Sequence, residues 1–359
     1  MGSKTISIHH HKEITVYPNV AYPLCFILAE PRLTGWYYEH FVNVYSQCWG
    51  GNFFRIDFLD SSRFFGDILD RRSYTLDEMR EMDIISFIKQ SIKDGFGVNV
   101  FAVDEYYLSE TSSYMHKHYI HETLVYGYDD DKAKLLVVGY DRNGVYTQFT
   151  YSYEGFARAF KEGVLNAPEY LVDALQTIRL RHFFMDYEFE LSNFVAELGK
   201  YLQAVPDRKK IFFSIASADT VVSGFKVYEQ MLRIFEENIR GNYAVQVNYN
   251  AIHFMSEHAK ALKERFLYIS RQYKVSEDFA RLVEEYARVE KELDTVRLIF
   301  LKQALEESEF RDMDFVKDPL KLRELHNMIT SSKANEYEIL SRIYEQLIRC
   351  SSKHACSLR

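Results

Sequence analysis

The 359-residue sequence predicts an α+β fold: an antiparallel sheet with a few helices over residues 1–172, then an all-α helical domain over 173–359. Three observations carry this. Short β-branched or aromatic runs bounded by Gly or Asp dominate the first part. From about Asp173 the apolar residues recur at helical spacing instead. The chain holds 15 Gly and 6 Pro, where average usage gives roughly 25 and 18, so long regular elements outweigh tight turns. The length favours two domains, and 47% hydrophobic content is enough for sizeable cores.

The elements follow in order. Phe26–Ala29, Asn99–Val103, Glu122–Tyr128 and Leu135–Tyr140 read as strands. Asp129-Asp130-Asp131-Lys132 is a turn that joins HETLVYGY to KLLVVGYD as an antiparallel hairpin. Tyr146–Tyr151 is a further strand, followed by a helix that starts near Tyr153 and stops at Gly163. Asp77–Lys93 reads as one amphipathic helix ending before Gly95. Helical periodicity then covers Asn193–Val205, Val221–Asn238, Asn250–Gln272, Ser276–Ser308, Pro319–Ser331 and Asn335–Cys350. The sequence has no fixed-period repeat, which argues against a solenoid.

Charge and cysteine usage narrow the function classes. The net charge of −8 is uneven: residues 1–180 carry 17 Lys+Arg against 24 Asp+Glu, and residues 181–359 carry 27 against 28. Neither half is basic, so a nucleic-acid footprint is not expected. The acidic first half suits a cationic small-molecule partner. Cys25, Cys48, Cys350 and Cys356 form no CxxC pair and are too few for a disulfide scaffold. The sequence lacks an apolar stretch long enough for a membrane span and a signal-peptide core, so a cytoplasmic protein with reduced thiols is expected.

The informative stretch runs from His121 to Asp141. A histidine opening one strand and an aspartate closing its hairpin partner meet at one end of the ladder. Asp141 is then placed to orient the His121 ring and stabilise its imidazolium. The partner this pair needs is an upstream nucleophile, and Cys25 and Cys48 are the available thiols. A free thiol titrates near 8.5, so an adjacent imidazolium is required to make it thiolate at neutral pH.

The order Cys25…His121…Asp141, with GYD in the hairpin, resembles papain-fold cysteine enzymes. Asn19, six residues before Cys25, stands where such enzymes carry a Gln that donates to the oxyanion. The segments TGWYYEHFVNVY, VDEYY, GFKVYEQ and SEHAKALKERFLYI make the chain similar to butirosin-H-like acyltransferases of natural-product biosynthesis. The amide-forming enzyme of closthioamide assembly is one similar system. The resemblance implies a papain-like N-terminal domain and a helical domain serving as acyl channel or carrier-protein dock. The implied reaction is ATP-independent transfer of an acyl group from an acyl- or peptidyl-carrier-protein thioester, through an enzyme thioester, to an amine such as a diamine. It implies no cofactor beyond the carrier's phosphopantetheine arm, while the histidine spacing, the charge and the hydropathy lead to no expected metal, nucleic-acid or membrane partner. The resemblance assigns Cys25, His121 and Asp141 as catalytic and Asn19 to the oxyanion.

Several assignments stay open. Papain-like enzymes place the nucleophile at the start of a long helix, whereas only FILAE separates Cys25 from Pro31, which keeps Cys48 as an alternative nucleophile beside Gly50-Gly51. Asp104, Glu105, Tyr106 and Tyr107 end a strand and are candidates to face the acceptor amine, or are simply solvated. Trp36 is a candidate wall of an acyl channel, or core. His116, His118 and His121 crowd together, but H-x-H-x-x-H is not a usual zinc spacing. His9–His11 reads as a flexible run without function, and His253 and His258 as core or surface residues. Arg208, Lys209 and Lys210 form a basic group able to meet an acidic carrier or a solvated loop. Hydrolysis by the same triad, as a peptidase or thioesterase, and a catalytically inactive binding protein are the alternative functions.

Overall fold

The computed structural model describes residues 2–49, 53–59, 61–182, 185–206, 221–307 and 315–352. The first elements are β1 (Ser3–Thr5), α1 (Pro18–Ile27), α2 (Thr34–Glu39), β2 (Val44–Trp49), β3 (Phe53–Phe58) and α3 (Ser61–Ile68). Next come β4 (Leu69–Thr75), α4 (Leu76–Met79), α5 (Ile84–Lys93), β5 (Gly97–Asp104), β6 (Ile120–Asp129), β7 (Lys134–Tyr140) and β8 (Tyr146–Ser152). They are followed by α6 (Tyr153–Leu165), β9 (Asp173–Leu180), α7 (Leu191–Leu202) and β10 (Val222–Ser223). Four helices close the described chain: α8 (Val227–Ile239), α9 (Tyr249–Gln272), α10 (Glu277–Glu307) and α11 (Pro319–Ser352). The fold is therefore mixed α+β, with antiparallel sheets and a helical C-terminal region.

The chain divides into two compact units that interleave in sequence. One comprises Met1–Leu33 and Phe64–Asp186, the other Thr34–Arg63 and Tyr187–Arg359. A boundary at 172/173 thus falls just ahead of a strand of the first unit, and residues 34–63 group with the helices.

In the first unit the strands run in the order β4-β9-β5-β6-β7-β8, with β1 added beside β6, and all described pairs are antiparallel. The β6–β7 hairpin forms as its alternation predicts. Asp129 pairs with Lys134, and the Asp129 carboxylate accepts the backbone N–H groups of Asp131 and Lys132, both at 3.1 Å, which fixes the turn. Strand β5 is buried along both faces. Its Val98, Val100 and Ala102 join the α5–α6 core through Ile88, Ile92, Phe156 and Ala159. Gly97 leaves room for Phe26 of α1, because an added Cβ would stand 2.6 Å from that ring.

Two local expectations are overturned in this unit. Phe26–Ala29 does not form a strand; Phe26 and Ile27 end α1, in which Val20, Ala21, Leu24, Cys25 and Ile27 are all fully buried, and Leu28 caps it. A helix buried all round carries no amphipathic stripe, so its apolar run imitates a strand. Asp77–Lys93 is not one helix. Thr75 and Glu78 form a capping box on α4, and Asp83 caps a new helix by accepting the N–H groups of Ile85 and Ser86.

The second unit is helical but not all-α: β10, β2 and β3 form a small antiparallel sheet within it. Helix α11 runs unbroken where two helices were expected. Leu322, Leu325, Ile329, Ser332, Glu336, Leu340, Ile343 and Leu347 are buried at three- and four-residue steps straight through the Ser-Ser-Lys-Ala segment. Arg265 of α9 is fully buried, and its guanidinium donates to the carbonyls of Tyr37, His40 and Ala261, closing the C-terminal end of α2.

Candidate functional site

Strand β6 opens at the C-terminal end of β5, with Val103 opposite His121 and Asp104 opposite Ile120. That register brings two acid–imidazole pairs to one end of the sheet. His121 Nδ1 lies 3.0 Å from Glu105 Oε1, and His118 Nδ1 lies 2.7 Å from Asp104 Oδ2. Both carboxylates are buried and held by further donors. Ser113 Oγ donates to Glu105 Oε2 at 3.1 Å, while the backbone N–H groups of Tyr106 and Tyr119 donate to Asp104 Oδ1. Each carboxylate is thus held by donors other than its imidazole partner.

The His121 side chain is 25% exposed, and its ring stacks on Tyr119 and tilts against Tyr140. Burial works against its charged form. The hydrogen bond and charge of Glu105, aided by Glu122, outweigh that and hold its pKa above the ordinary histidine value. With Nδ1–H given to the carboxylate, Nε2 is the open nitrogen, and among the described residues it makes no hydrogen bond. This is a general acid–base dyad in form.

The partner expected for His121 is used elsewhere. Asp141 Oδ1 accepts the backbone N–H groups of Asn143 and Val145, at 2.8 and 2.9 Å, and so fastens the β7–β8 turn. Glu105 stands in its place beside the ring.

Cys25 is the eighth residue of α1, not its first. Its sulfur is fully buried 3.1 Å from the Tyr146 hydroxyl, and burial pushes its pKa up to about 12, with the Tyr146 hydrogen bond opposing only in part. The start of α1, where the helix dipole would lower a thiol's pKa, carries Tyr17, Pro18 and Asn19. Six residues along a helix separate positions by about 9 Å, so Asn19, half-buried in the first turn, is not placed to serve an oxyanion on Cys25. Among the described residues no hydrogen bond joins Cys25 to His121.

Cys48 belongs to the second unit. It lines a small cavity with Gln230 and Arg233, and burial raises its thiol pKa while Arg233 opposes the rise. Gly50-Gly51 and Arg208–Lys210 lie outside the described residues. Trp36 is also in the second unit, buried and stacked on His40 with ring centroids 4.3 Å apart. His258 is buried against the Val42 carbonyl and pushed down to about 4, and His253 faces Glu257. Among the described residues no group of three or more His, Cys, Asp or Glu side chains is placed to hold a metal ion.

Tyr106 and Tyr107 do line a cleft, together with Tyr114, Glu110, Glu154 and Arg158; its volume is 390 Å³. Tyr106 stacks on His118 at 4.3 Å, so the cleft wall is continuous with the acid–imidazole pairs. His9–His11 is ordered against the same unit. His11 is buried with Nε2–H donating to the Ala21 carbonyl, and His10 stacks on Tyr146.

The Glu105–His121 pairing is the feature that sequence reasoning missed. Both residues were visible as chemistry-bearing positions, and the signal that joins them is strand order, since β5 precedes β6 directly and the two pair as neighbours. No protein-family model matches the chain, and no curated protein matches its sequence.

Proposed function

We propose that this chain is an ATP-independent acyltransferase forming an amide from a carrier-protein thioester and an amine, on a papain-like sheet, with the His121–Glu105 dyad as its base. The observation that carries the reading is the 3.0 Å contact between His121 Nδ1 and Glu105 Oε1, with Nε2 left open. The fully buried thiol of Cys25 argues against an enzyme thioester there, and burial raises the pKa of the alternative thiol, Cys48, as well, so the reading is direct transfer. His121 Nε2 takes a proton from the attacking ammonium-derived amine as its nitrogen bonds to the thioester carbonyl carbon. The C–S bond then breaks, and the imidazolium returns the proton to the departing carrier thiolate. The Glu105 carboxylate, whose hydrogen bond and charge raise the His121 pKa, stabilises the imidazolium that forms between the two proton transfers.

A second reading is a binding protein without catalysis. It is favoured by one observation: the N-terminus of α1 presents Tyr17, Pro18 and Asn19 in place of a thiol. A single incubation separates the readings. An acyl thioester is mixed with the protein, with and without a diamine, and the products are resolved by mass spectrometry. Transfer gives amide that His121→Ala abolishes. Free acid in both arms assigns a hydrolase, and unchanged thioester assigns the binding protein.

A further inference from the structure

The cleft beside the dyad carries charges of both signs that the fold leaves open. Glu154 and Arg158 lie one helical turn apart on α6, in the order that favours an ion pair. They do not form one: Arg158 makes no ion pair among the described residues and instead lies over the Tyr107 ring, 4.4 Å from its centroid. Glu110 adds a second carboxylate to the same cleft, and Tyr106 and Tyr114 supply flat apolar walls. Met115, also on the lining, is 67% exposed and sits at a φ of +52°. A β-unbranched but bulky residue held in the left-handed region is backbone strain, and the loop from Glu105 to Tyr119 retains it at the cleft mouth.

We propose that this cleft binds a zwitterionic α-amino acid with an apolar or aromatic side chain. Its carboxylate lies on the Arg158 fork, its ammonium on Glu154 and Glu110, and its side chain against the tyrosines. The guanidinium fork matches a carboxylate in a way a lone ammonium ligand does not use. The two signs together discriminate against molecules bearing only one of them, because the unmatched charge stays unpaired. The further identification of this amino acid as the acceptor amine rests on the acyl-transfer reading; the binding itself does not.

The test is calorimetric titration of the full chain with L-phenylalanine, phenethylamine and 3-phenylpropionate as probes. L-phenylalanine is expected to bind, and each single-charge analogue to bind roughly tenfold more weakly or worse. Arg158→Gln should weaken L-phenylalanine by a similar factor, and should leave phenethylamine unchanged. Glu154→Gln should weaken L-phenylalanine and leave 3-phenylpropionate unchanged. Both positions are exposed on α6, and unaltered melting of the variants checks that the fold is kept. Equal affinity for phenethylamine and L-phenylalanine, indifference to Arg158→Gln, or no binding of L-phenylalanine overturns the proposal. Binding of L-phenylalanine by an unaltered protein that forms no amide from an acyl thioester and an amine upholds the cleft while removing the transfer reading.

Discussion

Glu105, the first residue after β5, and His121 of β6 set Oε1 and Nδ1 3.0 Å apart, at strand ends held in register by the Val103–His121 pair. The carboxylate both orients the ring and raises its pKa. A raised histidine pKa means that the free base appears only at higher pH, so turnover should rise through that titration. Glu105→Gln removes the charge and lets the ring titrate lower. The acid limb of the pH–rate profile should move to lower pH, with kcat reduced by roughly 10²–10⁴-fold. The same pair stabilises the fold below the ordinary histidine pKa and loses that contribution as pH rises through the elevated one. A pH series of initial rates for both proteins checks the shift.

The thiol of Cys25 should be inert in the native protein. At neutral pH iodoacetamide is expected to alkylate the half-buried Cys48 and Cys350 first, and Cys25 only after unfolding. Cys25→Ala should cost about 1 kcal/mol of stability, through the lost contact with Tyr146, and leave turnover within a few-fold of the parent. Peptide mapping of the alkylated protein reads the order directly.

Glu336 gives the second unit a pH-dependent stability. It is fully buried, with Tyr228 donating to one oxygen and Tyr286 to the other at 2.8 Å, and burial pushes its pKa up from 4.5 to about 7 despite those donors. A carboxyl whose folded pKa is raised binds its proton more tightly when folded. Its contribution is therefore complete below pH 4.5 and lost as pH rises to about 7. The loss is on the order of 3 kcal/mol. Glu336→Gln should flatten the dependence and raise the melting temperature at pH 8, as a pair of thermal melts at pH 5 and pH 8 would show for each protein.

Gly163 sets how closely α6 approaches β5. An added Cβ would stand 2.4 Å from the Ala102 carbonyl oxygen and 2.7 Å from its carbon, both backbone atoms that cannot move aside. Gly163→Ala should therefore destabilise by about 1–3 kcal/mol, although alanine is the better helix former. It should also weaken ligand binding in the cleft, since Glu154 and Arg158 ride on the same helix. Chemical denaturation measures the first effect and calorimetry the second.

What the sequence revealed and what it concealed divide along physical lines. The β6–β7 hairpin was legible because its alternation and its aspartate turn are both local. The long helices α9 and α10 were legible because each keeps one apolar stripe over many turns. Helix α1 was not, since burial on every side erases periodicity. The β2–β3 hairpin was hidden by its place inside a helical unit, where its burial depends on helices more than a hundred residues away in sequence. At the site, His121 and Glu105 were each singled out, but the pairing was assigned to Asp141. An aspartate followed by Arg-Asn-Gly is also a turn former, and the turn claimed it.

The central claim is that His121 moves the proton while no acyl group rests on the protein. The most direct measurement is intact-protein mass spectrometry during a single turnover with an acyl thioester and an amine. The account predicts amide accumulating while the protein's mass stays unchanged, and no amide with His121→Ala. A transient gain of one acyl mass that maps to Cys25, and vanishes in Cys25→Ala together with turnover, would contradict it.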